Sequence, residues 1–315
     1  MKNLYGHGHN ATKTDWYSIW DPPNTAPQLF WELDKKHHNF LRERLASAYS
    51  MSSVHKYEVH IQACLDFLVR KLKKYAQNGE TVDMAIWTNA FTFGVVGELG
   101  YGSQFGHLEQ EKDAGQLRRT KFDDFQLLSS VGHLPRGAGA DTTSIGMRTC
   151  LFHLAAIPEV QAKLREEIDT FYDVNDLKAP MSYLEPHKLP YLQAVIKEAI
   201  RLLPSIVFQL LRHTPPDFKV RGIKVLVNTT IGISPMAQNR DWVQMQTSSA
   251  RADGENEDKT RYFDCSTMTF GGSGPIMCIG SNIALVELHK FVAQPVHNFD
   301  FELVNKNIPW RIKAY

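Results

Sequence analysis

Cys278 stands in Phe270-Gly271-Gly272-Ser273-Gly274-Pro275-Ile276-Met277-Cys278-Ile279-Gly280, and an apolar run with helical spacing, Asn282 to Val292, follows at once. A cysteine between a Gly-rich loop and a helix start can serve as a thiolate metal ligand. Small residues let the backbone approach a large flat ligand, and N–H groups at a helix start stabilise negative charge on sulfur. The same loop also suits a buried, inert cysteine, because a free thiol is often just a small hydrophobe. The loop alone leaves both readings open. Two further stretches carry chemistry. Ala138-Gly139-Ala140-Asp141-Thr142-Thr143 sets an acid beside an alcohol at the opening of a helical pattern; such a pair can move a proton and hold a water, or simply cap a helix. Glu198 and Arg201, three apart in Lys197-Glu198-Ala199-Ile200-Arg201, share a helix face and can pair.

These groups need elements to hold them. Residues 10–30 read as irregular, broken by Asp21-Pro22-Pro23 and Pro27. Helical spacing runs from Leu29 to Tyr49, then from about Val54 to Ala76, stopping at Asn78-Gly79. Asp83 is a candidate cap for a helix reaching about Val96. After a polar stretch at 107–136, helices are expected from Ala138 to Ala156 and from Pro158 to Phe171. The helix of Glu198 and Arg201 follows Lys188-Leu189-Pro190 and ends near Pro204. Residues 217–233, with Phe218-Lys219-Val220, Gly222 and Val225-Leu226-Val227, read as short strands around a turn, and 243–260 as a mobile polar loop. The fold class is mainly α with a small β portion.

The whole chain sets bounds. It has 315 residues, 43% hydrophobic and 22% charged, which fits an ordinary globule. Its net charge of +1 gives no support for nucleic-acid binding. Cys64, Cys150, Cys265 and Cys278 are widely spaced, which argues against a disulfide framework or a zinc site. Cys64 and Cys150 lie in helical patterns and read as core. No apolar run approaches the roughly 20 residues that cross a bilayer, and Met1-Lys2-Asn3-Leu4-Tyr5-Gly6 does not read as a signal peptide.

The acid-alcohol pair, the Glu-x-x-Arg helix and the cysteine loop, in that order, resemble the cytochrome P450 family of haem-thiolate monooxygenases. Tyr5-Gly6-His7-Gly8, Ala46-Ser47-Ala48-Tyr49-Ser50-Met51-Ser52-Ser53, Gly97-Glu98-Leu99, Phe105-Gly106 and Asn298-Phe299-Asp300-Phe301-Glu302-Leu303 are similar to members from filamentous fungi. The resemblance implies one haem-thiolate domain over 1–315, a shortened P450 fold without the N-terminal anchor and without the helices that roof the substrate pocket. It makes Cys278 the axial ligand of a haem b iron. Gly272 and Gly274 would lie flat against the porphyrin, and Gly280 would let the next helix pack closely. His38, Arg42 and Arg212 match contacts to the haem propionates, and Asp141 and Thr142 match the proton-delivery pair. Partners would be an NADPH-dependent flavoprotein reductase and a small apolar substrate, plausible for secondary metabolism. Nucleic acid is not expected as a partner. The family location is the endoplasmic reticulum membrane; with no transmembrane segment in this chain, the expectation for it as it stands is cytoplasmic. Two alternatives accompany this reading: a non-catalytic or incomplete descendant that cannot hold haem, and a haem-binding or electron-transfer module.

The chain departs from the family at several points. Counted back from Cys278, the aromatic position falls on Gly271, with Phe270 displaced by one residue. The position of a propionate-pairing arginine is Ile276, and no Pro-x-Arg segment stands between Trp242 and Phe270 to complete the Glu-x-x-Arg network. A lost charge-assisted contact to a carboxylate costs about 1.5–3 kcal/mol. Ile276→Arg should therefore raise haem content per purified chain; unchanged or lower content would show that this side chain is directed away from the haem.

Overall fold

The computed structural model describes residues 2–6, 11–21, 27–102, 136–185, 188–240, 267–272, 274 and 277–307. In chain order the elements begin with α1 (Lys2–Tyr5), β1 (Thr12–Lys13) and a 3-10 helix (Asp15–Trp20). Three helices follow, α2 (Lys35–Ala46), α3 (Met51–Asn78) and α4 (Met84–Tyr101), then α5 (Arg136–Ala156), α6 (Pro158–Val174) and α7 (Pro190–Leu202). Four two-residue strands come next: β2 (Arg212–His213), β3 (Lys219–Val220), β4 (Ile223–Lys224) and β5 (Thr230–Ile231). The short α8 (Pro235–Asn239) and the long α9 (Ser281–Asn298) complete the order. The fold is mainly helical with a small β portion, as the spacing predicts.

Local rules account for most of the boundaries. Ser50 Oγ accepts from Ser53 N at the start of α3, and Gly79, at φ +67°, ends it in the left-handed region. Asp83 caps α4 through Ala85 N at 2.8 Å. Three expectations shift. The helix expected from Leu29 starts only at Lys35, because Asp34 accepts from His37 N at 2.7 Å and fixes the cap there. Residues 10–30 are not all irregular: Trp16, Tyr17 and Trp20 lie on the 3-10 helix. Val225-Leu226-Val227 is not a strand; the ladder stops at Lys224, where Val220 pairs with Ile223 across the Arg221-Gly222 turn. The expected loop at 243–260, the polar stretch at 107–135, Phe105-Gly106 and Cys265 lie outside the described residues.

The described residues fall into two compact units. The first draws on Met1–Tyr49 and Ile206–Ser281. Its three-stranded antiparallel sheet has the order β1-β2-β5, with Lys13 opposite Arg212 and Arg212 opposite Ile231. Leu4, Tyr5 and Met268 form its small core, with Leu210, Phe218, Ile231 and Ile233 packed around them. Tyr5 ties the core down: its hydroxyl donates to Leu210 O at 2.8 Å and accepts from Ile233 N at 3.2 Å.

The second unit is a helical packing of α3 to α7 with α9 from Asn282 onward. One face of α3, including Ile61, Cys64, Leu65, Leu68 and Leu72, is buried at helical spacing. α4 lies along α5 and against α3, and α5 packs on α6 and α7. Gly146 permits the close approach of α5, since a Cβ there would sit 3.3 Å from Leu288 Cδ2 and 3.7 Å from Ile200 Cγ2. Buried charges in this unit are paired. Lys290 Nζ meets Glu58 Oε1 at 2.6 Å and Met181 O at 2.8 Å. Glu167 on α6 supplies the cap of α7, accepting from Tyr191 N at 2.8 Å and Leu192 N at 2.9 Å.

Glu287 on α9 breaks that pattern. It is buried, and its Oε2 has no hydrogen-bond partner among the described residues. Burial raises its carboxyl to about 8. Burial, with the charges of Glu98 and Glu287 nearby, pushes the Cys64 thiol up to about 12, so Cys64 is an inert core thiol. The native state thus keeps a proton on Glu287 that the unfolded chain releases in the ordinary carboxylate range. The associated stability is complete below that range and is lost as pH rises toward about 8. Glu287→Gln should flatten this dependence between about pH 5 and pH 8 in urea unfolding. An equally steep decline in the variant would show that other groups cause it.

Candidate functional site

The cysteine loop is closed by its own backbone. Cys278 N donates to Phe270 O at 2.9 Å, Met277 N to Gly274 O at 3.1 Å and Gly271 N to Met268 O at 3.1 Å. Gly271 and Gly272 take φ +84° and +83°, a region open to glycine, so the loop can double back within a few residues. Phe270, one place off the aromatic position, has its carbonyl committed to Cys278. α9 then starts at Ser281, whose N–H donates to Cys278 O at 3.4 Å, and the N–H groups of Gly280 and Ser281 are near enough to the Cys278 sulfur to favour its thiolate.

Cys278 is exposed to solvent on one side, yet enough protein surrounds its sulfur to raise the thiol above its ordinary value. The two N–H groups and the Arg42 guanidinium act the other way, favouring the thiolate. Cys64 and Cys150 are fully buried, and burial raises both to about 12. Cys278 is thus the described cysteine placed for ligation.

Gly274 has a second task that no local pattern shows. A Cβ at this residue would lie 2.3 Å from Tyr5 O and 3.4 Å from Gly6 Cα, and its φ is +148°. The missing side chain admits the segment of Tyr5 against the loop. Gly280 is less constrained, since its Cβ would meet Cys278 Sγ at 3.9 Å, an ordinary contact.

The first unit also gathers positive charge. Arg42 is within electrostatic reach of Cys278, and His38 of Lys13, Arg42 and Arg212. Arg212 is 3% exposed, and its described partners are neutral: Tyr17 Oη at 2.6 Å, Leu211 O at 2.7 Å and Leu210 O at 3.4 Å. Burial first, then the surrounding cations, lower His38 to about 4, so it is a neutral imidazole near neutral pH. Burial, then Arg212, lowers Lys13 to about 7. Among the described residues no carboxylate forms an ion pair with Lys13, Arg42 or Arg212. Sequence reading finds His38, Arg42 and Arg212 but misses Lys13 and Tyr17. Their stretch has no helical or strand periodicity, and their partner Arg212 lies far along the chain.

Asp141 and Thr142 belong to the second unit. α5 is helical from Arg136, so the pair lies inside the helix and Asp141 is not its cap. The main chain here is held by hydroxyls: Ser144 Oγ donates to Asp141 O at 2.8 Å and Ser205 Oγ to Thr142 O at 2.6 Å. Gly139 is exposed, and a Cβ there would meet nothing within 4 Å. Glu198 and Arg201 pair as their spacing predicts, Nη2 and Nε donating to the two carboxylate oxygens at 2.6 and 2.7 Å along one edge of the guanidinium, with Arg201 2% exposed. Ile276 lies outside the described residues.

The cytochrome P450 family model matches residues 12–129 and 115–314. The chain belongs to the cytochrome P450 family. It is similar to a pisatin demethylase of Fusarium vanettenii, 24% identical over all of this chain and 76% of that protein. It is also similar to cytochrome P450 monooxygenase pkfB of Emericella nidulans, 27% identical over 97% of this chain and 76% of the relative. Cytochrome P450 monooxygenase gsfF of Penicillium aethiopicum is 24% identical over all of this chain and 80% of its own length. The first alignment runs over 395 positions and the chain has 315 residues, so the matched region of that P450 relative contains positions this chain lacks. Membership makes the protein an oxidoreductase of a haem-iron family, with a redox partner and an organic substrate.

The donor set of the first unit fits the P450 cofactor. Haem presents one metal coordination site to a soft thiolate and two carboxylates to cations. The unit presents one thiol assisted by N–H groups and a cluster of cations without carboxylate partners among the described residues. Buried polar atoms of the same unit without partners among the described residues include Trp31 Nε1, Thr14 Oγ1 and Gln28 Oε1. The contact at Tyr5 sets an independent requirement on the loop. Gly274→Ala should lower stability by about 1–3 kcal/mol through strain and overpacking, and Gly280→Ala by clearly less. Urea unfolding of both variants decides this; equal losses would mean that the Tyr5 contact yields without cost.

Proposed function

We propose that this chain is a haem-thiolate monooxygenase that inserts one atom of dioxygen into a small apolar substrate. The observation that carries the reading is the Cys278 loop, closed by Cys278 N on Phe270 O at the start of α9, where nearby N–H groups favour the thiolate. When bound, the haem supplies the iron at which dioxygen is reduced and its O–O bond cleaved. Every other task falls to side chains and backbone. Cys278 gives up its thiol proton, and the two N–H groups with Arg42 hold the resulting charge. Arg42 and Arg212 bind the carboxylate edge of the cofactor, with neutral His38 as a hydrogen-bonding neighbour. Asp141 passes protons from solvent, and the Thr142 hydroxyl orders the water that receives them.

Electrons come in this reading from NADPH through a flavoprotein reductase. The same reading, through the family resemblance, takes the substrate from secondary metabolism and the location to be the endoplasmic reticulum membrane. No described helix is long and apolar enough to cross a membrane. A second reading, a non-catalytic descendant unable to hold haem, is favoured by the positions of its relatives that the chain lacks.

The reduced, CO-treated protein should show the long-wavelength absorption of a thiolate-ligated haem. Cys278→Ala should abolish it and Cys64→Ala should retain it. A thiolate-type spectrum that survives in Cys278→Ala removes the assignment.

A further inference from the structure

We propose that Lys13 is a carboxylate-binding residue of the first unit, and that the carboxylate is bound together with a proton taken up by the Lys13 amine. The proposal rests on the haem reading above, which supplies the carboxylate-bearing ligand. Lys13 lies in β1 directly opposite Arg212 in β2. Like charges directly opposite each other across an antiparallel pair repel, and here one of them is buried. The Lys13 Nζ donates to Leu29 O at 2.9 Å and to Phe30 O at 2.7 Å. A neutral amine has two N–H groups, and these two carbonyls use both. Protonation adds a third N–H, and a carboxylate held by Arg212 is the partner that this third donor lacks.

The charged and titratable groups around Lys13 agree. Arg212 faces it from β2, His38 from α2, and the Tyr17 ring from the 3-10 helix, with Nζ 5.3 Å from the ring centroid. Among the described residues Glu32 is the acid within reach, and it is committed elsewhere. Its Oε2 meets His37 Nδ1 at 2.5 Å and its Oε1 accepts from Asp34 N at 2.7 Å. In this setting Lys13 is only partly protonated near neutral pH, since burial and Arg212 lower it to about 7. One carboxylate entering the cluster offsets the charge of Arg212, removes the repulsion that lowers Lys13, and restores the ammonium.

The test is the pH dependence of haem affinity, read from Soret titrations of apoprotein between about pH 7.5 and 8.5, where one proton of linkage changes affinity about tenfold per pH unit. Ligation releases the Cys278 proton in every variant, so the difference between variants is what counts. Lys13→Met should shift the slope of log affinity against pH by about one proton toward release, and should weaken binding at pH 7. Lys13→Arg, a cation that does not titrate, should show the same shifted slope with affinity near wild type. His38→Gln should keep the wild-type slope. A wild-type slope in both Lys13 variants overturns the proposal, as does a shifted slope in His38→Gln alone. If Lys13→Met does not fold, the Lys13→Arg slope decides. A wild-type protein that forms no thiolate-ligated haem at any pH removes the haem reading and this proposal with it, whereas thiolate ligation with unshifted Lys13 slopes removes the proposal alone.

Discussion

Two cations face each other across a two-residue ladder, and no described carboxylate pairs with either. Arg212 is buried with hydroxyl and carbonyl partners, Lys13 has surrendered part of its charge, and His38 has surrendered its own. An uncompensated buried charge costs several kcal/mol, and among the described residues only neutral oxygens and aromatic rings offset that of Arg212. Cys278 contributes a sulfur whose charge Arg42 and two N–H groups favour. Loop, sheet and α2 carry these groups, with Arg212 the buried member and Cys278 open to solvent on one side.

The second unit follows the opposite rule. Arg201 is held by Glu198, Lys290 by Glu58, and the start of α7 by Glu167. Its helices interlock through small residues such as Gly146, and its exception, Glu287, avoids the problem by staying neutral. Its structural charge is neutralised within the chain, whereas Lys13, Arg42 and Arg212 of the first unit have no described carboxylate in an ion pair.

This contrast explains what is legible in the sequence. Glu198 with Arg201 is an i,i+3 relation, and the caps at Ser50, Asp83 and Gly79 are decided within four residues, so local rules find them. Cys278 shows itself because glycines and a helix start adjoin it in the chain. The Lys13–Arg212 register, the Ser205 bond to Thr142 and the Tyr5 contact at Gly274 connect distant segments, and no local period encodes them. The start of α2 escapes a periodicity rule because apolar spacing begins before Asp34, where a side-chain cap holds the backbone out of the helix. At Gly274 the sequence suggests only room for a flat ligand, whereas the steric demand comes also from the backbone carbonyl of a residue far away in the chain.

That contact has a consequence for the order of events during synthesis. Tyr5 leaves the ribosome well before Gly274 is added. At ordinary elongation rates the interval is on the order of tens of seconds. Throughout it, the segment of Tyr5 lacks the loop it seats against, and for much of it Lys13 lacks the strand that flanks it. The first unit is therefore assembled after translation of its late segment, from two stretches that enclose most of another unit. Long-range closure of this kind is slow and leaves apolar surface exposed in the meantime. In a nascent chain of this protein the early segment therefore waits, without its seat, until the cysteine loop has been made.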